Sequence, residues 1–200
     1  MSHLGGPPIL LALLVGVVSS AQGSTALTAQ IQNVLTPIDS VPTQLELDTA
    51  FSDHARALQG LAEISTDPST DTGIRLRAIH ALTRYCATSP CVDGDQAHQA
   101  LVSIVEATKA TTAGPGVVVL RGAIEALGPQ RVGTDLPLLV PLLEHQSRDV
   151  RAATVHALRD LCNTQAINPL RALLQHETTE QVRLAISEAL RILGQAQPCQ

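Results

Sequence analysis

The chain has 200 residues, of which 44% are hydrophobic and only 1% aromatic, and its formal net charge is −5 at pH 7. A core with so few aromatics must be built mainly from Leu, Ile, Val and Ala, and because Ala and Leu are strong helix formers this composition favours an all-α fold. The lack of a basic excess and of aromatic side chains for base stacking argues against nucleic-acid binding.

Residues 1–23 have the pattern of a secretory signal peptide. The apolar run ILLALLVGVV (residues 9–18) has the length of a signal-peptide core and is too short to span a bilayer comfortably. Small residues follow, so that cleavage after Ala21 or after Gly23 fits the usual pattern. No Lys or Arg precedes the run, and a short membrane anchor or a buried helix is the alternative. We therefore expect a periplasmic or secreted protein without a stable membrane anchor after cleavage.

Residues 24–51 are predicted to form an N-terminal capping helix followed by a loop. Apolar residues recur at helical spacing in TALTAQIQNVL (residues 25–35), and TPIDSVP then interrupts the pattern. Because the ends of a repeat stack expose apolar faces, we expect this helix to cover the first repeat.

Residues 52–200 are predicted to repeat one helical unit. The strings IRLRAIHALTRYC, ending at Cys86, and VRAATVHALRDLC, ending at Cys162, are related, with a third copy, VRLAISEALRILG, from Val182 and a weaker one, GVVVLRGAIEALG, from Gly116. Apolar or small residues recur at the first, fifth, ninth and twelfth positions, which places one stripe on one helix face. Ala at the eighth position lies beside this stripe, where a neighbouring helix can come close.

Each string is preceded by another apolar segment that is predicted to be the first helix of a pair. These segments are residues 52–65, 95–109, 135–145 and 167–176. Pro141 lies inside the third segment and is expected to bend it. One helix pair cannot bury its own stripes, whereas stacked pairs can, so the pattern predicts a right-handed α-solenoid of about four helix pairs.

The lines LL-x(n)-D/Q-V-R-x-x-A-x-x-A-L resemble HEAT repeats, in particular the short type of the phycobilin lyases. The resemblance covers residues 52–194 and is strongest in the last two pairs. An export signal combined with such repeats and scattered cysteines also resembles exported HEAT-repeat proteins of bacteria. The resemblance implies a non-catalytic scaffold that binds a protein partner.

In HEAT solenoids the second helix lines the concave side, so the resemblance also implies a binding surface there. The third, seventh and tenth positions of each string should face outward and form what we call the outward row: Leu76, His80, Thr83, Val118, Gly122, Glu125, Ala152, His156, Arg159, Leu184, Glu188 and Arg191. Seven of these are predicted to bind the partner: His80, Thr83, Glu125, His156, Arg159, Glu188 and Arg191. An ordinary solvated face is the alternative. The two histidines lie two repeats apart, too far to share one metal ion.

An arginine recurs at the second position of three strings, as Arg75, Arg151 and Arg183. Such arginines are expected to tie repeats together by pairing with a carboxylate, with ligand binding as the alternative. The candidate partners near them in the chain are Asp71, Asp149 and Glu180.

Four cysteines, an even number in a chain predicted to be exported, favour disulfides. Cys86 and Cys91 are five residues apart across a short loop, which leaves Cys162 to pair with Cys199. Buried free thiols are the alternative. The spacing of the four residues gives no sign of a zinc site.

The sequence contains no G-x-S-x-G, H-E-x-x-H or phosphate-loop motif. Some HEAT-type hydroxylases hold iron with paired His-Glu steps, but the steps Glu144-His145 and His176-Glu177 occur only twice here and in opposite order. We therefore predict a protein that is not an enzyme and has no metal and no cofactor. The alternative is a ligand- or chromophore-handling enzyme subunit of the phycobilin-lyase type.

Overall fold

A computed structural model describes residues 29–37, 42–51, 53–86 and 95–195. Within these ranges every regular element is an α-helix or a 3-10 helix, and there is no strand. The predicted signal peptide lies outside the described residues. None of the helices in the described ranges combines the length and the apolar character that crossing a membrane requires.

The α-helices follow one another with short connections. They are α1, which includes residues 29–35, α2 (Gln44–Phe51), α3 (His54–Thr66), α4 (Thr72–Leu82), α5 (Gln96–Thr108), α6 (Pro115–Leu127), α7 (Leu136–Leu139), α8 (Arg148–Asp160), α9 (Ile167–His176) and α10 (Glu180–Leu193). At Pro141, where a bend is predicted, α7 gives way to a 3-10 segment, Val140–Glu144. Proline has no N–H to continue the α-helical hydrogen bonds, which accounts for the change.

Helices α3 to α10 form four pairs, and neighbouring pairs stack. The second helices α4, α6, α8 and α10 pack on one another in that order, while α3 packs on α5 and the 3-10 extension of α7 packs on α9. The molecule is therefore an all-α solenoid, and this part of the sequence prediction is confirmed.

The predicted apolar stripe is the core of the solenoid. In α8 the side chains of Val150, Thr154 and Leu158 are buried, and in α10 those of Val182 and Ile186 are buried. The Thr154 hydroxyl donates to the carbonyl oxygen of Val150 at 2.8 Å, so its polar atom is satisfied within the helix. Each fully buried aliphatic side chain contributes roughly 1.5–3 kcal/mol, which makes stacking the main source of stability.

Small residues let the second helices approach closely. Alanine at the eighth string position is buried in all four pairs, as Ala81, Ala123, Ala157 and Ala189. Just beyond α6, a Cβ atom built on Gly128 would lie 2.7 Å from the Cα atom of Ala157 in α8. The backbone at residue 128 therefore packs directly against the next repeat.

The N-terminal segment packs on the first repeat. Ile31 and Leu35 of α1 are fully buried in the same core as the repeats. Arg77 of α4 donates through Nη1 to the carbonyl oxygen of Leu35 at 2.8 Å, and Arg84, just beyond the end of α4, donates through Nη1 to that of Pro42 at 2.9 Å. These two bonds hold the N-terminal segment against α4.

The prediction of a loop between the capping helix and residue 52 is wrong for Gln44–Phe51, which form α2. Thr43 and Glu46 form a capping box: the Glu46 carboxylate accepts from the Thr43 N–H at 2.7 Å, and the Glu46 N–H donates to the Thr43 hydroxyl at 3.2 Å. Leu47 and Phe51 are buried and anchor the helix. The T-x-x-E spacing was a usable signal for this helix.

Candidate partner-binding surface

The outward row lies on the stacked second helices α4, α6, α8 and α10. Six of its seven predicted binding residues are exposed and Arg159 is half-buried. The prediction that Gly122 and Ala152 face outward is wrong, because both are buried. A Cβ atom on Gly122 would lie 2.7 Å from Cδ2 of Leu76, so α4 covers this position. The exposed part of the row thus excludes these two positions, where neighbouring helices meet.

Two large aliphatic side chains of the outward row are exposed to solvent. Val118 on α6 is 46% exposed and Leu184 on α10 is 64% exposed. Among the described residues, Leu45 on α2 is the other large aliphatic with such exposure. Exposed apolar side chains rimmed by polar groups are typical of interaction surfaces.

Charged pairs surround these aliphatic residues. On α6, Arg121 Nε donates to Glu125 Oε1 at 2.8 Å. On α10, Arg191 Nε and Nη2 donate to the two carboxylate oxygens of Glu188 at 3.0 and 2.8 Å. Solvent screens such exposed pairs strongly, so little stability is lost when a partner rearranges them.

His156 and Arg159 meet at the centre of the row, on α8. The His156 Nδ1 atom accepts from Arg159 Nη1 at 3.3 Å, and Arg159 Nε also donates to Asp160 at 2.8 Å. Because a guanidinium only donates, this contact requires Nδ1 of His156 to be unprotonated. Burial, with the nearby charge of Arg159, lowers the pKa of His156, and the carboxylates of Asp160 and Glu125 partly oppose this effect. The centre of the row thus favours a neutral imidazole.

The structure brings only part of the predicted set together. Charge interactions link His156 to Glu125 on the preceding second helix, and Glu188 to Arg159 across α8 and α10. Thr83 instead completes the end of α4, where its hydroxyl donates to the carbonyl oxygen of His80 at 2.7 Å. The charged residues of the row on α6, α8 and α10 therefore act on one another electrostatically.

Of the second-position arginines only Arg151 joins two repeats, and the predicted partners of all three are wrong. Arg151 pairs with Glu177 rather than with Asp149: Nε lies 2.7 Å from Oε2 and Nη2 lies 3.0 Å from Oε1. The Glu177 side chain is only 2% exposed. The hydrogen bonds from Arg151, helped by those from Thr179, lower the pKa of Glu177 to about 2 despite its burial.

The other two arginines bind backbone carbonyls rather than the predicted Asp71 and Glu180. Arg75 Nε donates to the carbonyl oxygen of Ser65 at 3.2 Å. Arg183 Nη1 donates to the carbonyl oxygen of Glu177 at 3.0 Å. Both bonds tie a second helix to the end of the helix before it, which is a structural role.

The two His-Glu steps line one small cavity. The cavity has a volume of about 230 Å³, and its lining includes all four residues of the two steps: Glu144, His145, His176 and Glu177. The His145 ring is already occupied, because Nε2 donates to the carbonyl oxygen of Thr111 and Nδ1 accepts from the N–H of Ser147, both at 3.0 Å. Glu177 is held by Arg151. Across the described ranges, no three metal-ligating side chains are grouped closely enough to hold an ion.

Two of the four cysteines are among the described residues. Neither Cys86 nor Cys162 is a free thiol. Cys91 and Cys199 lie outside the described residues, so the pairing of the four cysteines stays a prediction.

Stacked helix pairs that share a buried stripe define a helical-repeat solenoid. Residues 107–191 match the family described as HEAT repeats. The match extends from the end of α5 to α10 and includes the charged part of the outward row. No curated protein matches the chain. The resemblance to HEAT repeats is confirmed, while the phycobilin-lyase type and the exported bacterial origin stay predictions.

Proposed function

We propose that this HEAT-repeat protein is a non-catalytic scaffold that binds a protein partner through the outward row, on the face that we expect to be concave. HEAT repeats commonly serve as scaffolds for protein interaction. The observation that carries the proposal is the exposure of Val118 and Leu184 in the same row as the charged residues of α6, α8 and α10.

Burial of these aliphatic side chains by a partner lowers the free energy, because it removes apolar surface from water. Each square ångström of apolar surface buried contributes about 25 cal/mol. The surrounding charges of Glu125, Arg159 and Glu188 can then fix the orientation of the partner and exclude wrong ones, because complementary charges act mainly on specificity and association rate.

We further propose that the protein acts outside the cytoplasm, in the periplasm or as a secreted protein. The apolar run at residues 9–18 and the small residues after it support export. Disulfides between Cys86 and Cys91 and between Cys162 and Cys199 would suit that compartment. Intact mass with and without reductant tests them, since two disulfides add about four mass units on reduction.

The binding proposal is tested by photo-crosslinking the full chain in its own exported fraction. A crosslinker placed at residue 184 should capture one dominant protein, and the same group at residue 45 serves as the matched control because Leu45 is 75% exposed on α2, outside the row. The purified partner should then bind the double variant V118S/L184S at least tenfold more weakly, with L45S unaffected. Equal binding by both variants would reject the outward row as the docking surface.

A further inference from the structure

A second polar cluster, buried on the other layer of the solenoid, is built around His98 of α5. His98 Nε2 lies 3.1 Å from Oδ1 of Asp135, and His98 Nδ1 lies 2.7 Å from Oε1 of Gln130. All three side chains are buried. The cluster joins the second helix pair to the segment that leads into α7, and it fixes the orientation of the Asp135 carboxylate.

The second oxygen of the Asp135 carboxylate has no hydrogen-bond donor within the described part of the chain. Oδ2 of Asp135 is buried and has no hydrogen-bond partner among the described residues. A carboxylate accepts several hydrogen bonds, and a buried acceptor without a donor is energetically costly, so such atoms are rare in folded proteins. Nε2 of Gln130, in the same cluster, is likewise buried without a partner in the described ranges. Because Asp135 also lines a cavity, a donor that enters the cavity and displaces the atoms covering Oδ2 can supply the missing hydrogen bond.

Asp135 lines a cavity of about 450 Å³ between α5 and the start of α7. The residues that matter for recognition combine carboxylates, hydroxyls and apolar walls: Val102, Ser103, Glu106, Thr134, Asp135 and Leu138. On α5, His98, Val102 and Glu106 are four residues apart and therefore share one face. No Lys or Arg is among the described lining residues. Lys109, one turn beyond, pairs with Glu106, and both side chains are about half exposed.

We propose that this cavity is a recognition site for an arginine side chain of a protein partner. A guanidinium is planar, always charged and carries five N–H donors, which suits a site with two carboxylates and two hydroxyls. The methylene stem of arginine would pack on Val102 and Leu138, as long cationic side chains commonly do on apolar surface. Lysine has the same charge, but its compact ammonium group lacks the planar array of donors with which a guanidinium can bind two carboxylates at once. We therefore expect lysine to bind this site less well.

This site is separate from the outward row. Its walls belong to first helices, α5 and α7, whereas the outward row lies on the second helices. Loss of one site therefore leaves the other intact, and the two proposals can fail independently.

The test uses the ¹⁵N-labelled full chain and three small probes: N-acetyl-argininamide, N-acetyl-lysinamide and the uncharged isostere N-acetyl-citrullinamide. We expect the arginine probe to shift the backbone amide signals of residues 102, 103 and 134–135 with saturation, at a dissociation constant on the order of millimolar for a ligand of this size. Binding should be at least tenfold weaker for citrulline and several-fold weaker for lysine.

Two variants and one control complete the test. Glu106→Gln changes a half-exposed side chain and should weaken arginine binding at least tenfold without altering the fold. Asp135→Asn should weaken it further, with folding checked by circular dichroism. Glu180→Gln removes the same charge from the exposed first turn of α10, outside both proposed sites, and should leave binding unchanged. Absence of saturable shifts, equal binding of citrulline, or unaltered binding by Glu106→Gln would overturn the proposal.

Discussion

Arg151 of α8 binds Glu177, at the end of α9, through two nearly parallel hydrogen bonds of 2.7 and 3.0 Å. The same guanidinium donates through Nη1 to the carbonyl oxygen of His145 at 2.9 Å. One arginine therefore connects the third helix pair to the fourth, and its partner carboxylate is almost completely withdrawn from water. The two repeats are thus joined by a buried ion pair as well as by their apolar stripes.

Arg151→Met should destabilise the protein by about 3–5 kcal/mol, because it leaves the carboxylate of Glu177 buried without its partner. Urea unfolding monitored by circular dichroism measures this change. The matched control is Arg191→Met, which breaks the exposed, solvent-screened pair with Glu188 and should leave stability nearly unchanged. If the two variants were equally stable, the pair would have no special role in joining repeats.

The stability of the protein should also fall in acid because of Glu177. Its pKa is lowered from 4.5 to about 2, so the unfolded chain takes up the proton first as the pH falls. The corresponding stabilisation, on the order of 3 kcal/mol, is complete above about pH 5 and is lost as the pH falls towards 2. Unfolding free energies measured between these values should show the loss.

Glu177→Gln provides the control for this pH dependence. The amide does not titrate, so the difference in stability between the natural chain and the variant should stay constant down to about pH 5 and then shrink as the pH falls towards 2. A difference that stayed constant with pH would mean that Glu177 titrates normally in the native state.

The sequence predicted the parts of this architecture that depend on local periodicity. The apolar stripe that includes Val150 and Val182 follows from the helical period of 3.6 residues. The stacking of pairs follows because one pair cannot bury its own stripes. The apolar pattern does not predict helix α2, because Leu47 and Phe51 are its only buried side chains. The signal for this helix in the sequence is the capping box at Thr43 and Glu46.

The sequence alone did not predict the polar contacts between residues that are far apart in the chain. Glu177 lies 26 positions after Arg151, whereas Asp149 was favoured because it is close in the chain. His98 and Gln130 are 32 positions apart and meet only once the pairs have stacked. In the candidate surface, position on the helix correctly gave the exposure of His156 but not the burial of Gly122, which depends on a side chain from α4.

The pKa of the His156 imidazole should lie below the ordinary histidine value of 6.5. Burial and Arg159 lower its pKa from 6.5, so the native protein resists protonation more than the unfolded chain does. The resulting stability is present above pH 6.5 and is lost as the pH falls through the folded-state pKa. NMR titration of the ring protons measures the pKa directly.

Arg159→Gln should raise the pKa of His156, because it removes a nearby positive charge while Asp160 and Glu125 remain. Arg191→Gln, which removes an equal charge on α10, should change the titration much less. A lower pKa in the Arg159 variant would show that Arg159 does not act on the imidazole as the contact indicates.

Gly128→Ala should be destabilising although alanine usually favours helical backbone. The added Cβ would lie 2.7 Å from the Cα atom of Ala157 and 3.1 Å from its carbonyl oxygen, and backbone atoms cannot rotate away. We expect a loss of roughly 1–3 kcal/mol, the usual cost of overpacking. Gly133→Ala is the control, because nothing lies within 4 Å of the added Cβ there. Thermal unfolding should separate the two variants, and equal melting temperatures would contradict the close contact between the second and third pairs.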